Sequence, residues 1–322
     1  MVEKIRIGFI GCGGNARGHM RTLSNMEDVK IVAVCDLKEE LAERAAEQNV
    51  ADAYTDHRAM LGRKDLDGVY ISIPVFAHGA PELDTIQRGL PFFVEKPVAI
   101  NMETAEEIRE AVEKNNIVTC VGYQLRYSGA TDAAMEILRG KTMNIVVGKY
   151  WCGSGRGDPG SWIRQMGKSG GQLVEQATHT IDMMRYLAGE IKEVFAVQEN
   201  RILKEIDCPD VNCVCMKFDS GVIGSLTTAW AYDPKDWSNA NVLDILFEAS
   251  LLHWTAGGLA LSPEPETPLE VKPGQSIDRV FVDAVKSGDG SKIRSPYSDA
   301  VKSLAVSLAA NRSGKTGVTE SV

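Results

Sequence analysis

The feature that most limits how this chain can fold is a rhythm in its first 122 residues. The β-branched and aromatic runs IRIGFIG, VKIVAVCD, GVYISIP, PFFVEKP and IVTCVG recur there with helix-forming stretches between them. Each run is apolar at consecutive rather than alternate positions. Both faces of such strands need cover, and a parallel sheet with helices on both sides provides it. An α/β domain with a doubly wound parallel (Rossmann) sheet is therefore expected over 1–122, with a second domain over 123–322.

The rhythm breaks near Gly122. A helix over about 128–139 and the long strand MNIVVGKYWCG open a different regime. The segments EVFAVQEN, VNCVCMKF, GVIGSLTTAWAY and VLDILFEA predict a mixed or antiparallel sheet of about five to seven strands, with a hairpin at Ser220-Gly221. In VNCVCMKF, Val211, Cys213 and Cys215 share one face and Val214, Met216 and Phe218 the other, so neither is plainly a solvent face. Helices or a second subunit would supply the cover, and a homodimer or homotetramer is expected. Two helices, from about 276 and 296, end the chain.

Composition narrows the partners. Hydrophobic residues at 44% and charged residues at 25% are ordinary globular usage, and a net charge of -9 repels phosphate backbones and anionic lipid. Neither nucleic acid nor a membrane is an expected partner. The opening MVEKIRIGFIGCGG is too short an apolar run for a secretory signal, and no run of about 18 apolar residues occurs, so a cytoplasmic protein is expected. The seven cysteines are scattered through apolar runs and read as reduced core thiols; with five dispersed histidines they offer no clustered ligand set, and no metal is expected.

The strand IRIGFI runs into Gly11-Cys12-Gly13-Gly14-Asn15-Ala16 at the start of a helix, a GxGxxA turn in the strand-turn-helix setting that dinucleotide binding requires. Gly11 suits the tight turn, Gly13 admits a pyrophosphate, Ala16 allows close helix-strand packing, and the helix N-terminus stabilises phosphate charge. Asp36, ending the second strand, suits the adenosine ribose hydroxyls and repels a 2′-phosphate. NAD is the expected cofactor, with NADP the alternative because Lys38 and Arg44 lie nearby; capping the next helix is a compatible role for Asp36.

Glu95-Lys96-Pro97 follows the strand PFFV, at the sheet edge where cofactors lie in doubly wound folds. The glycine-rich stretch from Trp151 to Gly171, with Trp162 in it, reads as a functional loop. It leads into one predicted amphipathic helix over 173–187, on which Glu175, His179 and Asp182 are spaced i, i+4 and i+7 and share a face. A carboxylate beside an imidazole gives a proton-transfer group near neutral pH, although a solvated face with an ion-paired histidine has the same spacing. Asp182 can equally pair with Arg185.

Together GFIGCGGNARGHM, SIPVFAH around Pro74 and His78, VEKP, GYQLRY, SGGQLVEQATHTIDMMRYLAG and NRSGKTG resemble the glucose-fructose oxidoreductase and inositol dehydrogenase family, Gfo/Idh/MocA, over essentially the whole chain. The EKP motif followed roughly eighty residues later by GG and ExxxHxxD is the specific part. The resemblance implies a Rossmann domain followed by an α+β domain on an open, mostly antiparallel sheet, and hydride exchange with a sugar, polyol or related hydroxyl compound. It makes Lys96 and His179 catalytic and places Glu175, the third catalytic candidate, where relatives often carry aspartate. Gly14, Asn15, Pro74, His78 and Glu95 are the further cofactor candidates. On the substrate side, the Arg126 guanidinium can grip a hydroxyl or carboxylate, the Trp162 indole can stack on a sugar face, and Asp182 can also orient His179. Which of Lys96 and His179 moves the proton stays open. So do two rivals: an NAD-using glycosidase of the same family, and a non-catalytic NAD-sensing regulator.

Overall fold

The computed structural model describes residues 4–153, 160–232, 240–265 and 269–322. The chain divides into two compact units, 1–122 with 276–301, and 123–275 with 302–322. Residues 276–301, expected with the second domain, thus pack with the first.

In the first unit, strands β1 (Ile5–Ile10), β2 (Val29–Cys35), β3 (Asp52–Tyr54), β4 (Gly68–Ile71), β5 (Phe92–Val94) and β6 (Thr119–Val121) alternate with helices α1 (Gly14–Ser24), α2 (Glu39–Asn49), α3 (His57–Leu61), α4 (Ala80–Gln87) and α5 (Met102–Asn115). All strand pairs are parallel, in the order β3-β2-β1-β4-β5-β6. The order reverses beside β1, which is where open α/β sheets leave a crevice at the strand C-termini. Every residue of β4, β5 and β6 is buried, the pattern of a sheet covered on both faces. Phe9, Tyr70 and Phe93 stack across β1, β4 and β5 at centroid distances of 4.9 and 4.7 Å, and Phe281 meets Tyr70 edge-on. Aromatic pairs in these geometries add about 1 kcal/mol each beyond the area they bury.

The second unit begins with α6 (Gly129–Leu138) and carries three helices before its second strand: α7 (Met166–Ser169), α8 (Gly171–Glu175) and α9 (Thr178–Ala188). Its eight-stranded sheet comprises β7 (Met143–Trp151), β8 (Ile191–Glu199), β9 (Val211–Phe218), β10 (Ile223–Ala229), β11 (Asn241–Phe247), β12 (Ser250–Thr255), β13 (Gly258–Ser262) and β14 (Glu320–Ser321), more strands than sequence suggests. The order is β13-β12-β11-β7-β10-β9-β8-β14, antiparallel except where β7 meets β10. The expected hairpin joins β9 to β10, with Gly221 at a φ of +87°. Two more helices follow: α10 (Ile277–Ser287) belongs to the first unit, and α11 (Tyr297–Thr316) begins in the first and ends in the second.

The inner face of the eight-stranded sheet packs on α9: a Cβ at Gly148 of β7 would come within 2.8 Å of the Met184 sulfur, so the missing side chain sets how close helix and sheet approach. β9 alternates strictly, with Val214, Met216 and Phe218 buried and Val211, Cys213 and Cys215 exposed. Those last two thiols correct the expectation of seven core cysteines; the other five are buried. On the outer face, Phe195, Cys215, Ser225, Val147 and Asp244 form one cross-strand row, and Val197, Cys213, Thr227, Lys149 and Val242 the next.

Candidate functional site

The glycine turn at the end of β1 shows two different uses of glycine. Gly11 has a φ of +92°, and a Cβ there would lie 2.1 Å from the Ser72 carbonyl oxygen, so it permits β1 and the chain leaving β4 to approach. Gly13 and Gly14 have open space where a Cβ would stand. α1 starts there with no side-chain cap, its first-turn amides left to an outside acceptor, while Ala16 is fully buried against the sheet. Asn15 is exposed on that first turn. Asp36 closes the site: one carboxylate oxygen accepts the Cys12 amide at 2.9 Å and the other the Lys38 amide at 2.9 Å. Each oxygen keeps a lone pair for a ribose hydroxyl. Burial and the Asp36 carboxylate push the Cys12 thiol up to about 12, so it stays neutral. An NAD pyrophosphate fits the uncapped turn, and its adenosine ribose fits Asp36.

Pro74 precedes a 3-10 turn, Val75–Ala77, after which His78 is held by Glu82: Nδ1 lies 2.6 Å from one carboxylate oxygen, and the Gly79 amide donates to the other at 2.8 Å. Both side chains are buried.

Glu95 and Lys96 follow β5. Sequence assigns Glu95 to the cofactor, but its carboxylate meets His19 Nε2 at 2.9 Å and lies over Gly122, where a Cβ would come within 3.0 Å of it. His19 Nδ1 reaches Asp278 of α10 at 2.6 Å. Burial opposes charge on His19, yet the hydrogen bonds and attraction of Asp278 and Glu95 outweigh it and raise the pKa from 6.5 to about 10. Sequence reasoning missed His19 and Asp278. His19 does sit on the stripe of α1 that carries Ala16, Met20 and Leu23, a charged residue on an inward face; Asp278, 259 residues away, leaves no local signal. Lys96 is half-buried.

In the second unit the single helix expected over 173–187 is two. α8 ends at Glu175, α9 starts at Thr178, and between them the amides of Gln176 and Ala177 both donate to the Gln172 carbonyl, at 3.1 and 2.8 Å. The second is a five-residue bond, a π-type irregularity of the kind frequent at functional sites. Gln176 is anchored there by the indole N–H of Trp230, which donates to its side-chain oxygen. Glu175 and His179 therefore do not lie one turn apart on a common helix, and the shared-face argument survives only for His179 and Asp182.

Glu175 is buried and His179 half-buried, its ring edge-on to Tyr123 at 5.9 Å. The Tyr123 hydroxyl meets the Thr178 hydroxyl at 2.8 Å, and burial with the nearby Asp182 charge pushes its pKa up. Arg126 and Asp182, both assigned to substrate from sequence, grip each other through two hydrogen bonds of 2.8 and 2.6 Å. Ser303 donates to the same carboxylate at 2.9 Å, and Arg185, hydrogen-bonded to Glu190 and Ser303, also forms the expected ion pair with Asp182, at 4.0 Å. Trp162 is half-buried at the start of a 3-10 turn. Of the glycine-rich loop before it, 154–159 lie outside the described residues. Among the described residues no His, Cys, Asp and Glu cluster could hold a metal ion, and no helix is long and apolar enough to cross a membrane.

Residues 5–123 match the model of an oxidoreductase family with an NAD-binding Rossmann fold, and residues 139–248 match the GFO/IDH/MocA C-terminal domain. The chain is 26% identical over 247 residues to the 4-carboxy-2-hydroxymuconate-6-semialdehyde dehydrogenase of Sphingobium sp. (strain NBRC 103272 / SYK-6), covering 71% of this chain and 73% of that one. It is also 26% identical over 244 residues to the NAD(+)-dependent scyllo-inositol 2-dehydrogenase of Bacillus subtilis (strain 168), covering 72% and 70%. A solved structure of levoglucosan dehydrogenase in complex with NADH shares the fold, with a TM-score of 0.86, 21% identity and 99% of each chain covered. With both domain models matched and the glycine turn, Asp36 and the EKP segment in place, the chain belongs to the Gfo/Idh/MocA family of oxidoreductases and carries that family's NAD-binding Rossmann domain.

Proposed function

We propose that the protein is an NAD-dependent dehydrogenase that exchanges a hydride with the hydroxyl or carbonyl carbon of a sugar, polyol or related compound. The observation that carries this reading is Asp36 hydrogen-bonded to the Cys12 amide beside an uncapped helix N-terminus. A carboxylate fixed there accepts ribose hydroxyls and repels a 2′-phosphate, which favours NAD over NADP. The relatives' names support a hydroxyl or aldehyde substrate without selecting one.

NAD, when bound, supplies the hydride acceptor for an alcohol. Hydride leaves a neutral alcohol with difficulty because positive charge builds on carbon, so the chain's task is to take the hydroxyl proton as hydride departs. We assign that proton to His179 Nε2 and the hold on the substrate oxygen to the Lys96 ammonium, which stabilises developing negative charge. Arg126 and Asp182 act in this scheme by bracing α9, since each is occupied by the other. Glu175 and Trp162 are assigned to the substrate side.

We further propose that a second copy covers the outer face of the eight-stranded sheet. Eight strands at about 4.8 Å spacing and roughly 20 Å long offer about 770 Å² per copy, close to the ~800 Å² per partner of a stable interface.

The deciding experiment follows absorbance at 340 nm for a panel of polyols and sugars with NAD and NADP in parallel. Turnover with NAD is expected. Dinucleotide binding without turnover on any compound would identify a sensor, and release of sugar from an aryl glycoside with no net NADH would identify a glycosidase.

A further inference from the structure

His19 makes an unusual commitment for a histidine on a cofactor-facing helix. Both ring nitrogens are engaged by carboxylates, Nε2 with Glu95 at 2.9 Å and Nδ1 with Asp278 at 2.6 Å, and the three side chains are only 14%, 11% and 8% exposed. The ring packs on Phe93 at 4.7 Å and Tyr70 at 5.5 Å between centroids, so its plane and reach are fixed. The three residues come from three elements: α1, whose N-terminus is the phosphate site; the end of β5, immediately before Lys96; and the first turn of α10. A doubly protonated ring is the one form that donates to both carboxylates. A neutral ring would leave one carboxylate facing an imidazole lone pair in a site that water scarcely reaches, at a large desolvation cost.

We propose that His19 is a positioning residue for Lys96: by holding Glu95 and Asp278 at its two ring nitrogens, it ties α1 and α10 to the strand end that presents the lysine. This rests on the reading above in which Lys96 meets the substrate oxygen. The chain between Glu95 and Lys96 is a single peptide unit. Any swing of the Glu95 backbone is therefore passed to the lysine stem, and a misplacement of about 1 Å at a reacting group can cost about a hundredfold in rate. Removing the imidazolium leaves Glu95 and Asp278 as two nearby like charges, which pushes apart the strand end and the α10 turn that carry them.

The test compares His19→Gln and Glu95→Gln with wild type, using two readouts. In the apoprotein, the rate of acetylation by an N-hydroxysuccinimide ester at fixed pH is followed peptide by peptide, with exposed Lys192 as internal control. The Lys96 rate is expected to rise by about threefold or more in His19→Gln as the strand end loosens, and the Lys192 rate to stay. In the holoenzyme, kcat is expected to fall by about tenfold or more in both variants, with the NADH Kd within about threefold of wild type. Combining the two substitutions should cost no more than the worse single one, because they break the same link. An unchanged Lys96 labelling rate, or additive losses in kcat, would overturn the proposal. So would a fall in kcat matched by an equal loss of NADH binding, which is the mark of general loosening. If wild type turns over no hydroxyl compound, the dehydrogenase reading fails by itself, and the labelling rate still decides whether His19 holds Lys96 in place.

Discussion

Arg126 and Asp182 face each other across two parallel hydrogen bonds with almost no access to water, 3% and 1% of their side chains remaining exposed. Breaking a pair of this kind strands a charge in the interior, which costs about 3 kcal/mol or more. Asp182→Ala should therefore lower the urea midpoint of unfolding strongly. The double variant Arg126→Met with Asp182→Leu should recover much of that loss, because neither charge is then left alone. Equal instability in single and double variants would show that the pair is not what supports α9.

The His19 clamp sets a pH dependence whose sign follows from its charge. The folded pKa of about 10 lies above the unfolded 6.5, so the contribution to stability is complete below about 6.5 and disappears as pH rises through 10. The groups bonded to the ring are Glu95 and Asp278, and the Tyr70 ring packs on it, its hydroxyl held protonated by burial and the Asp278 charge. Thermal midpoints measured from pH 6 to 10 should fall for wild type and be flatter for His19→Gln. Parallel curves would show that His19 is neutral in the folded protein.

The two turn glycines should respond differently to the same methyl group. Gly11→Ala adds a Cβ 2.1 Å from the Ser72 carbonyl oxygen at a φ that side chains resist, and should destabilise the apoprotein by roughly 3 kcal/mol. Gly13→Ala meets no protein atom, so the apoprotein midpoint should stay while NADH binding weakens by about tenfold or more. Calorimetry and fluorescence titration of both variants separate the cases. Normal NADH affinity in Gly13→Ala would place the pyrophosphate elsewhere.

For the reacting groups, Lys96→Ala and His179→Ala should each lower turnover by about 10² to 10⁴ while leaving NADH binding intact. The variant that also removes the acidic limb of the kcat/KM profile identifies the base. Near-normal turnover in both would end the assignment.

On the outer sheet face, Leu246→Asp places a charge where 44% of an apolar side chain is exposed. It should shift sedimentation toward the monomer, and Cys213 and Cys215 should then react faster with a thiol reagent. Wild type that sediments as a monomer at micromolar concentration would rule out the second copy.

How far these features could be read in the sequence depends on how local their causes are. The parallel sheet was legible because GVYI, FFV and TCV are each buried at every position, and that demand is written into consecutive residues. The turn at Gly11 was legible for the same reason. The break between α8 and α9 was not: LVEQATHTID keeps helical spacing throughout, and what holds the irregularity is Gln176 bonded to Trp230, 54 residues downstream. Spacing also brought Asp182 forward as a candidate without revealing that its partner is Arg126, 56 residues upstream. The outer face of β9 looked as apolar as the inner one, so only the placement of α9 on one side distinguished them.

The return of residues 276–301 to the first unit has a consequence for synthesis. Phe281 completes the aromatic stack, Asp278 supplies the second carboxylate to His19, and the Ser295 carbonyl accepts the Val121 amide at the edge of β6. A ribosome that has released only the first 122 residues has released a sheet without its last helix and without its edge partner. The nucleotide unit can finish folding only after the whole intervening 153-residue segment, 123–275, has emerged. An excised 1–122 fragment should accordingly be a poor stand-in for the domain, whereas a fusion of 4–122 to 276–301 through a short flexible linker should restore those contacts, which its thermal midpoint and NADH affinity would check.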